Sequence, residues 1–398
     1  MLAKPPLSLY VHVPWCVKKC PYCDFNSHEF GARSALPEAD YIAALCADFD
    51  RDFVRACAGE AKPRPIHSIF IGGGTPSLFS AQSFDKLVQH IASSQAPGWL
   101  HSESLEITLE ANPGTLEAGR FADYRAAGIN RLSLGIQSFD DAQLRRLGRI
   151  HDSAQARRAI ESVRSAGFTN FNLDLMHGLP EQTLESALAD LSSALDFEPT
   201  HLSWYQLTIE PNTVFFSKPP PLPRESLLTS VQDAGHALLI KAGFEQYEVS
   251  AYARSAATAS KHNLNYWQFG DYLGIGAGAH GKLTVSDAAL PIRTRKLRQP
   301  DHYLRAALAD PVEFSAQSSV IAKDEIAVEY LLNSLRTKQG FTVSAFEART
   351  GLAYEVITSA VDRLIKRSLL IQYEEPETRI TTTDKGFRYL NNVLEEFL

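Results

Sequence analysis

The feature that most constrains the fold is a regular alternation of strand and helix patterns through the first half of the chain. Short apolar runs rich in β-branched and aromatic residues predict strands, and apolar residues three and four positions apart predict the helices between them. Repeated βα units imply parallel strands joined by right-handed crossovers. Six such units over about 200 residues predict an α/β fold built on an incomplete (β/α)6 barrel, not a closed eight-fold one. The predicted strands are 7–13, 66–72, 105–110, 131–136, 171–176 and 201–208, and the predicted helices are 38–58, 80–94, 116–127, 153–166 and 183–196.

The composition changes twice in the rest of the chain. Five prolines lie between Pro211 and Pro223, where neither a helix interior nor a central strand can continue. Residues 250–262 are small and polar and predict a loop. Near the C-terminus, three helical patterns, two short strands and one closing helix at 384–397 predict a winged-helix-like α+β module. The predicted segments are the barrel at 1–210, an extension at 211–320 and the C-terminal module at 321–398.

The charge balance bears on what the chain binds. The sequence holds 39 Lys and Arg against 46 Asp and Glu, a net charge of −7. A nucleic-acid binder needs a basic surface, so we expect no nucleic-acid partner and do not interpret the winged-helix pattern as a DNA-binding regulator. No apolar run approaches the roughly 18 residues needed to span a membrane, so no integral membrane protein is expected.

The cysteines and the N-terminal residues indicate the cellular compartment in which the protein is expected. Three of the five cysteines crowd into eight residues, which is not the pattern of a secreted disulfide framework. The first 15 residues carry one lysine, a broken apolar stretch and no small-residue cleavage site, unlike a signal peptide. We therefore predict a cytoplasmic protein with reduced thiols.

The chemically most specific segment follows the first predicted strand. Cys16, Cys20 and Cys23 form a CxxxCxxC motif. Thiolates are soft ligands that suit iron–sulfur clusters or zinc. Structural zinc usually takes four ligands, and here His12 or His28 would have to complete the set. Three thiolates on a [4Fe–4S] cluster instead leave one iron open for a small molecule, at the strand end where barrel active sites lie.

The two remaining cysteines fall in a different pattern. Cys46 and Cys57 lie on the apolar face of the first predicted helix. Free cysteine behaves as a small buried hydrophobe. We predict that both belong to the core and bind no metal.

Longer motifs carry a resemblance to a known family. The second strand leads into Gly-Gly-Gly-Thr-Pro, and the segments LYVHVPWCVKKCPYCDF, FIGGGTPS, EANPGT, RLSLGIQSF, LGRIH and FNLDLMHGLP resemble the oxygen-independent coproporphyrinogen III oxidase family. This is a family of radical S-adenosylmethionine (SAM) proteins, and the segments are most similar to its heme-chaperone branch. The resemblance covers essentially the whole chain. It implies a radical-SAM barrel, and a [4Fe–4S] cluster whose open iron is chelated by the methionine end of SAM.

The resemblance also implies which residues surround SAM. Gly73, Gly74 and Thr75 match the segment that faces the methionine amino group, and a glycine-rich turn lets backbone approach a ligand closely. The alternative for the glycine-rich segment is a simple tight turn. For Glu110 or Asp174 taken alone, the alternative is a helix cap or a salt bridge. The predicted fold places the acids near one barrel rim, which favours a shared ligand. Tyr10 and Tyr22 match positions that border the cofactor, and Glu110, Gln137, Arg149 and Asp174 match positions that hold its carboxylate, ribose and adenine.

Two departures separate this chain from the dehydrogenases of the family. The dehydrogenase pattern has a further cysteine two residues after the third, where this chain has Phe25. The dehydrogenases also carry a long N-terminal arm, whereas 15 residues precede Cys16 here. The resemblance thus implies a chaperone that binds heme and delivers it to an acceptor hemoprotein, with a membrane-localised respiratory hemoprotein as one candidate. The alternative is the dehydrogenase itself, which uses a 5′-deoxyadenosyl radical to convert two propionate side chains to vinyl groups.

A second motif, HNLNYW at 262–267, matches the heme-chaperone branch. His262 and Tyr266 are its candidate heme ligands, and the neighbouring aromatic residues could pack against a porphyrin face. The alternative is a buried aromatic strand with a hydrogen-bonded histidine. Other candidate ligands are His151, His177 and His280, and the basic residues Arg293, Arg295, Lys296 and Arg298 either form a solvated loop or bind heme propionates.

Overall fold

One twelve-stranded sheet runs through most of the chain. The computed structural model describes residues 2–30, 35–114, 119–285, 290–309 and 312–398. The strand order is β12-β11-β10-β9-β1-β2-β3-β4-β5-β6-β8-β7. The strands are β1 (Leu7–Val13), β2 (Ile66–Gly73), β3 (Glu106–Ala111), β4 (Arg131–Gln137), β5 (Phe171–His177), β6 (His201–Gln206), β7 (Glu245–Glu248), β8 (Ala251–Ala253), β9 (Asp271–Ile275), β10 (His280–Leu283), β11 (Ile292–Lys296) and β12 (Ser315–Val320).

The centre of the sheet is parallel and sequential. Strands β1 to β6 pair in chain order and in parallel, as the βα alternation predicts. Their residues are buried almost without interruption, because helices cover parallel strands on their faces. The predicted α/β class is confirmed. In addition, β9 pairs in parallel with the free side of β1, so the parallel part has seven strands.

Helices separate the parallel strands. Those of the first half are α1 (Glu38–Cys57), α2 (Ala81–Ser93), α3 (Phe121–Ala126), α4 (Asp141–Arg146), α5 (Ser153–Ser165) and α6 (Leu184–Leu195). Asp152 and Thr183 form capping boxes that fix the starts of α5 and α6. The predicted helix at 116–127 is observed over Phe121–Ala126, and residues 116–118 of its predicted first turn lie outside the described residues.

Residues after 210 extend the same sheet at both edges. Strands β7 and β8 add antiparallel beyond β6, and β10, β11 and β12 add antiparallel beyond β9. The prediction of a loop over 250–262 is wrong at Ala251–Ala253, because burial against β6 overrides the weak strand preference of alanine. The division of the chain at residue 210 stays a prediction. The helices here are α7 (Val214–Ser217), α8 (Glu225–Lys241), α9 (Lys261–Trp267) and α10 (Pro300–Ala306).

The C-terminal segment has a hydrophobic core of its own. Tyr330, Phe341 and Phe346 lie at its centre, between three helices and a small antiparallel sheet of order β13-β15-β14. The predicted single closing helix is wrong, because Tyr389 leaves the helical region (φ −108°, ψ 40°) and separates two short helices. No helix in the described ranges is long and apolar enough to cross a membrane. The elements are α11 (Ile326–Ser334), β13 (Phe341–Thr342), α12 (Val343–Thr350), α13 (Glu355–Lys366), β14 (Leu370–Tyr373), β15 (Arg379–Thr382), α14 (Asp384–Arg388) and α15 (Leu390–Glu395).

Candidate functional site

The three motif cysteines border one cavity at the carboxyl ends of the parallel strands. Cys16, Cys20 and Cys23 all line this space of about 600 Å³, which we call the cluster cavity. All three are free thiols. Burial raises the pKa of the Cys16 thiol, and the two other motif thiols add to the rise, although a hydrogen bond with Thr75 opposes it. The loop therefore gathers soft donors where a bound cation would stabilise their thiolate forms.

The donor set fits an iron–sulfur cluster better than zinc. In the part of the chain that is described, no three His, Cys, Asp or Glu side chains converge on a point where they could hold one ion. The predicted fourth zinc ligands have other partners. His12 lies 2.9 Å from the Tyr10 hydroxyl and 2.9 Å from the Asn26 carbonyl oxygen, and His28 Nε2 lies 3.2 Å from Asn26 Oδ1. Three thiols around the edge of a cavity suit a larger, multi-iron group.

The glycine-rich turn after β2 lies against the cysteine loop. The amides of Gly74 and Thr75 donate to the carbonyl oxygens of Val13 (2.8 Å) and Trp15 (2.7 Å). A Cβ atom on residue 74 would lie 2.5 Å from the Trp15 oxygen and 3.0 Å from Cys16 Sγ. Residue 73 has φ +118°, a conformation that disfavours any side chain. Glycine is therefore required for this close approach.

Two partly buried carboxyl groups face the cluster cavity from β3 and β5. Glu110 Oε2 accepts a hydrogen bond from the Gly73 amide (3.1 Å). Asp174 accepts hydrogen bonds from Ser133 Oγ (3.0 Å) and Asn172 Nδ2 (2.8 Å). Burial, together with the nearby Asp174, raises the pKa of Glu110 to about 8, and burial also raises the pKa of Asp174. A cationic amino group in the cavity would favour the ionised form of Glu110.

Arg149 and Gln137 complete this rim. Arg149 Nη2 donates to Asn112 Oδ1 (2.6 Å) and the Gly135 carbonyl oxygen (2.8 Å), and its Nη1 lies 3.6 Å from Cys20 Sγ. Arg149 Nε is buried without a hydrogen-bond partner. Gln137 adopts φ 68°, a strained conformation of the kind that often marks functional sites.

Two residues of this rim were not predicted from the sequence. Asn112 donates to Thr75 Oγ1 (3.0 Å) and accepts from Arg149, so it joins the glycine turn to the arginine. Tyr205 donates to Gln137 Oε1 (2.8 Å) and lines the cluster cavity. The EANPGT segment contains Asn112 and could have indicated it, whereas no motif indicates Tyr205.

A second cavity adjoins the first. It measures about 770 Å³, and we call it the aromatic–basic cavity. Phe25 and Trp267 line both cavities and so stand between them. Tyr10 lines this second cavity and not the first, whereas Tyr22 lines the cluster cavity. Its further aromatic and charged lining residues are His12, Asp24, Tyr266, Phe269, Tyr272, His280, Lys282, Arg293, Arg295, Lys296 and Arg298.

The HNLNYW motif forms helix α9 and not a strand. Ser260 caps this helix by accepting a hydrogen bond from the Asn263 amide (3.3 Å). His262 is 1% exposed, and its Nδ1 and Nε2 lie 3.1 Å from Ser68 Oγ and 2.8 Å from the Tyr266 hydroxyl. Burial lowers the pKa of His262 to about 3. Both ring nitrogens are thus engaged within the chain, and the role of His262 as a heme ligand stays a prediction.

The other candidate histidines differ in accessibility. His151 and His177 are buried, and neither lines either cavity. His280 is exposed and lines the aromatic–basic cavity. The interpretation of residues 293–298 as a solvated loop is wrong, because 292–296 form β11 and Lys296 is buried against Asp48 and Asp52 of α1.

Comparison with known proteins places the chain in a family. Residues 10–193 match the model of the radical SAM superfamily. The chain is 47% identical over 394 residues to a protein described as heme chaperone HemW from Haemophilus influenzae, covering 99% of this chain and 98% of the relative. It is 46% identical to the protein of the same description from Escherichia coli, over the full length of both chains.

One solved structure shares the overall architecture. Coproporphyrinogen III oxidase (HemN) from Escherichia coli, a radical SAM enzyme, has a TM-score of 0.78 at 23% identity, covering 99% of this chain and 90% of that chain. This likeness shows the fold alone. The full-length identity to the curated relatives, together with the CxxxCxxC loop and the glycine turn beside it, shows that the chain belongs to the HemW family of the radical SAM superfamily.

Proposed function

We propose that this chain is a cytoplasmic heme chaperone that binds a [4Fe–4S] cluster, SAM and heme and delivers heme to an acceptor hemoprotein. The observation that carries the proposal is the pair of adjoining cavities. One is bordered by the three motif thiols, and the other is lined by aromatic and basic residues. The family description of the full-length relatives supports the same function.

The cluster cavity offers groups for each part of SAM. Cys16, Cys20 and Cys23 would hold three irons, and the cluster would supply an open iron for the methionine amino and carboxylate groups. The Gly73–Thr75 backbone and Glu110 would face the amino end of that ligand, because they form the wall next to the cysteine loop. Arg149 brings a buried cation suited to the carboxylate. Gln137 and Asp174 also line the cavity and would contact the ribose and adenine.

The aromatic–basic cavity matches the chemistry of heme. Its volume falls within the roughly 300–1,000 Å³ of typical ligand pockets. Aromatic side chains suit the flat apolar face of a porphyrin. The described lining residues include one carboxylate, that of Asp24, and five Lys and Arg side chains. Two of these, Arg295 and Arg298, are exposed and suit a ligand with two propionates.

Delivery requires that heme be held reversibly and be passed to a second protein. We propose that the acceptor is a hemoprotein, with a membrane-localised respiratory hemoprotein as one candidate. Phe25 is 61% exposed between the two cavities, in the position where the dehydrogenase pattern has a fourth cysteine. This apolar residue supports carrier function over the oxidation of coproporphyrinogen.

Anaerobic reconstitution followed by two separate assays tests the proposal. The reconstituted chain should contain about four irons, bind SAM, and bind hemin with about one equivalent per chain, as followed by optical absorption. Given SAM, a strong reductant and coproporphyrinogen III, it should form no protoporphyrinogen. Failure to bind hemin would contradict the chaperone function, and many turnovers of coproporphyrinogen per chain would establish the dehydrogenase in its place.

A further inference from the structure

One face of the β10–β11 hairpin carries a row of basic side chains into the aromatic–basic cavity. His280 lies directly opposite Arg295, and Lys282 lies directly opposite Arg293. Directly opposed residues of an antiparallel pair point to the same face, with Cβ atoms about 5 Å apart. All four residues line the cavity. The hairpin therefore presents one imidazole and several cations to whatever occupies this space.

Most of these cations already have partners. Lys282 donates to the Phe269 carbonyl oxygen (3.1 Å) and pairs with Asp271 (3.4 Å). Arg293 Nε donates to both carboxylate oxygens of Glu329 (3.0 and 3.2 Å). As described above, Lys296 is buried between two carboxylates of α1. These three residues stabilise the walls of the cavity and are not available to a ligand.

His280 and Arg295 differ from their neighbours. Both are exposed, and among the residues that the structure describes, neither side chain has a hydrogen-bond or ion-pair partner. Arg298 is also exposed and uses only its Nε, which donates to Asn26 Oδ1 (3.0 Å). Among the described basic side chains of the cavity, the His280 imidazole and the Arg295 guanidinium thus have no partner, and Arg298 has unused guanidinium N–H groups.

The same cavity provides the apolar surface that a flat ligand needs. Phe25 and Trp267 form its boundary with the cluster cavity. Tyr266 and Tyr272 pack edge to face, with ring centroids 4.5 Å apart, on the side formed by α9 and β9. A planar porphyrin in this cavity would contact these rings as well as the side chains of the hairpin.

We propose that the aromatic–basic cavity is the heme site, with His280 as the axial ligand of the iron and Arg295 and Arg298 as the partners of the two propionates. This inference rests on the proposed heme-carrier function and assigns it to residues outside the HNLNYW motif. His262 is engaged through both ring nitrogens, whereas the His280 ring has no partner.

Hemin titration of the full-length reconstituted chain tests the axial ligand. His280→Ala should weaken hemin binding by about ten-fold or more, since even the loss of an outer partner of a metal ligand costs about that much. It should also shift the Soret band, and free imidazole should restore the wild-type spectrum. His101→Ala, at an exposed histidine that lines neither cavity, is the matched control and should bind hemin like the wild type.

The outcomes separate the two proposals. A His280→Ala variant with the spectrum and affinity of the wild type would overturn the site assignment while heme binding itself stands. Failure of the wild-type chain to bind hemin would overturn the carrier function on which the assignment rests.

A ligand without carboxylates tests the arginines. Arg295→Gln should bind hemin about five- to ten-fold more weakly, because a charge-assisted hydrogen bond is lost at a partly open site. The same variant should bind hemin dimethyl ester as the wild type does, since the ester has no propionate charge to recognise. Equal weakening for hemin and its ester would show that Arg295 shapes the cavity and does not bind propionate.

Discussion

His262 should act as a structural residue whose contribution to stability depends strongly on pH. Its ring lies against Phe70 at a centroid distance of 5.2 Å and at right angles to Tyr266 at 4.7 Å. Its two nitrogens bind Ser68 and Tyr266. We therefore consider His262→Gln, which removes the aromatic ring and the titrating group but keeps a polar side chain.

The magnitude follows from burial and proton linkage. At pH 7.5 the substitution should lower the free energy of unfolding by about 2–3 kcal/mol, through lost packing and an unsatisfied buried hydroxyl. In the native state the pKa of His262 is about 3, against about 6.5 in the unfolded chain. Because the native pKa is lowered, this residue's contribution is complete above pH 6.5 and falls as the pH drops toward 3. At pH 5 the wild-type chain is destabilised by about 2 kcal/mol through this residue alone, a loss that glutamine does not share.

The wild-type chain and His262→Gln should therefore have more similar free energies of unfolding at acidic pH. Urea unfolding of the metal-free chain at pH 7.5 and pH 5, followed by circular dichroism, gives the difference at each pH. We expect the loss in free energy of unfolding caused by His262→Gln to be about 2 kcal/mol smaller at pH 5 than at pH 7.5. His101→Gln, at an exposed site, should change stability by less than about 0.5 kcal/mol at either pH. A cost for His262→Gln that is the same at both pH values would refute the assignment of a buried, neutral imidazole.

Three further predictions concern the cluster cavity. Alanine at any of the three motif cysteines, for example Cys20→Ala, should abolish the iron content of the anaerobically reconstituted chain, whereas Cys46→Ala should retain it, as iron analysis will show. Gly74→Ala should also lose most of the cluster, because its Cβ would lie 2.5 Å from the Trp15 carbonyl oxygen and 3.0 Å from Cys16 Sγ; full occupancy would show that the turn can move. Glu110→Gln should keep the cluster but weaken SAM binding about ten-fold in calorimetry, through loss of a charge-assisted contact; unchanged affinity would exclude Glu110 from the SAM site.

The parallel centre of the fold is predictable because its signals are local. Strand β1 reads LSLYVHV, an alternating pattern rich in β-branched and aromatic residues that indicates a strand without reference to the rest of the chain. The helices between the strands begin at side-chain caps such as Asp152, which are visible in the sequence. The additions at the sheet edges have no such signal. Ala251–Ala253 forms a strand only because it pairs with β6, some fifty residues earlier in the chain.

The shared position of several candidate SAM residues follows from the topology of the sheet. Glu110, Gln137 and Asp174 lie on β3, β4 and β5, and the carboxyl ends of parallel strands meet at one edge. Glu110 and Asp174 therefore share a cavity although 64 residues separate them in the sequence. Tyr205 belongs to the same edge but carries no motif. Its role depends on a 2.8 Å contact with Gln137, which only the folded chain creates.

The two histidines show how motif and geometry can point to different residues. His262 lies in the most recognisable sequence motif of the second half, yet the fold uses both of its nitrogens to join α9 to β2 and to Tyr266. His280 lies outside that motif, in a glycine-rich segment, yet the pairing of β10 with β11 turns it toward a cavity beside Arg295. The motif identifies the wall of the aromatic–basic cavity, and the unpaired side chains of the hairpin identify where a ligand would bind.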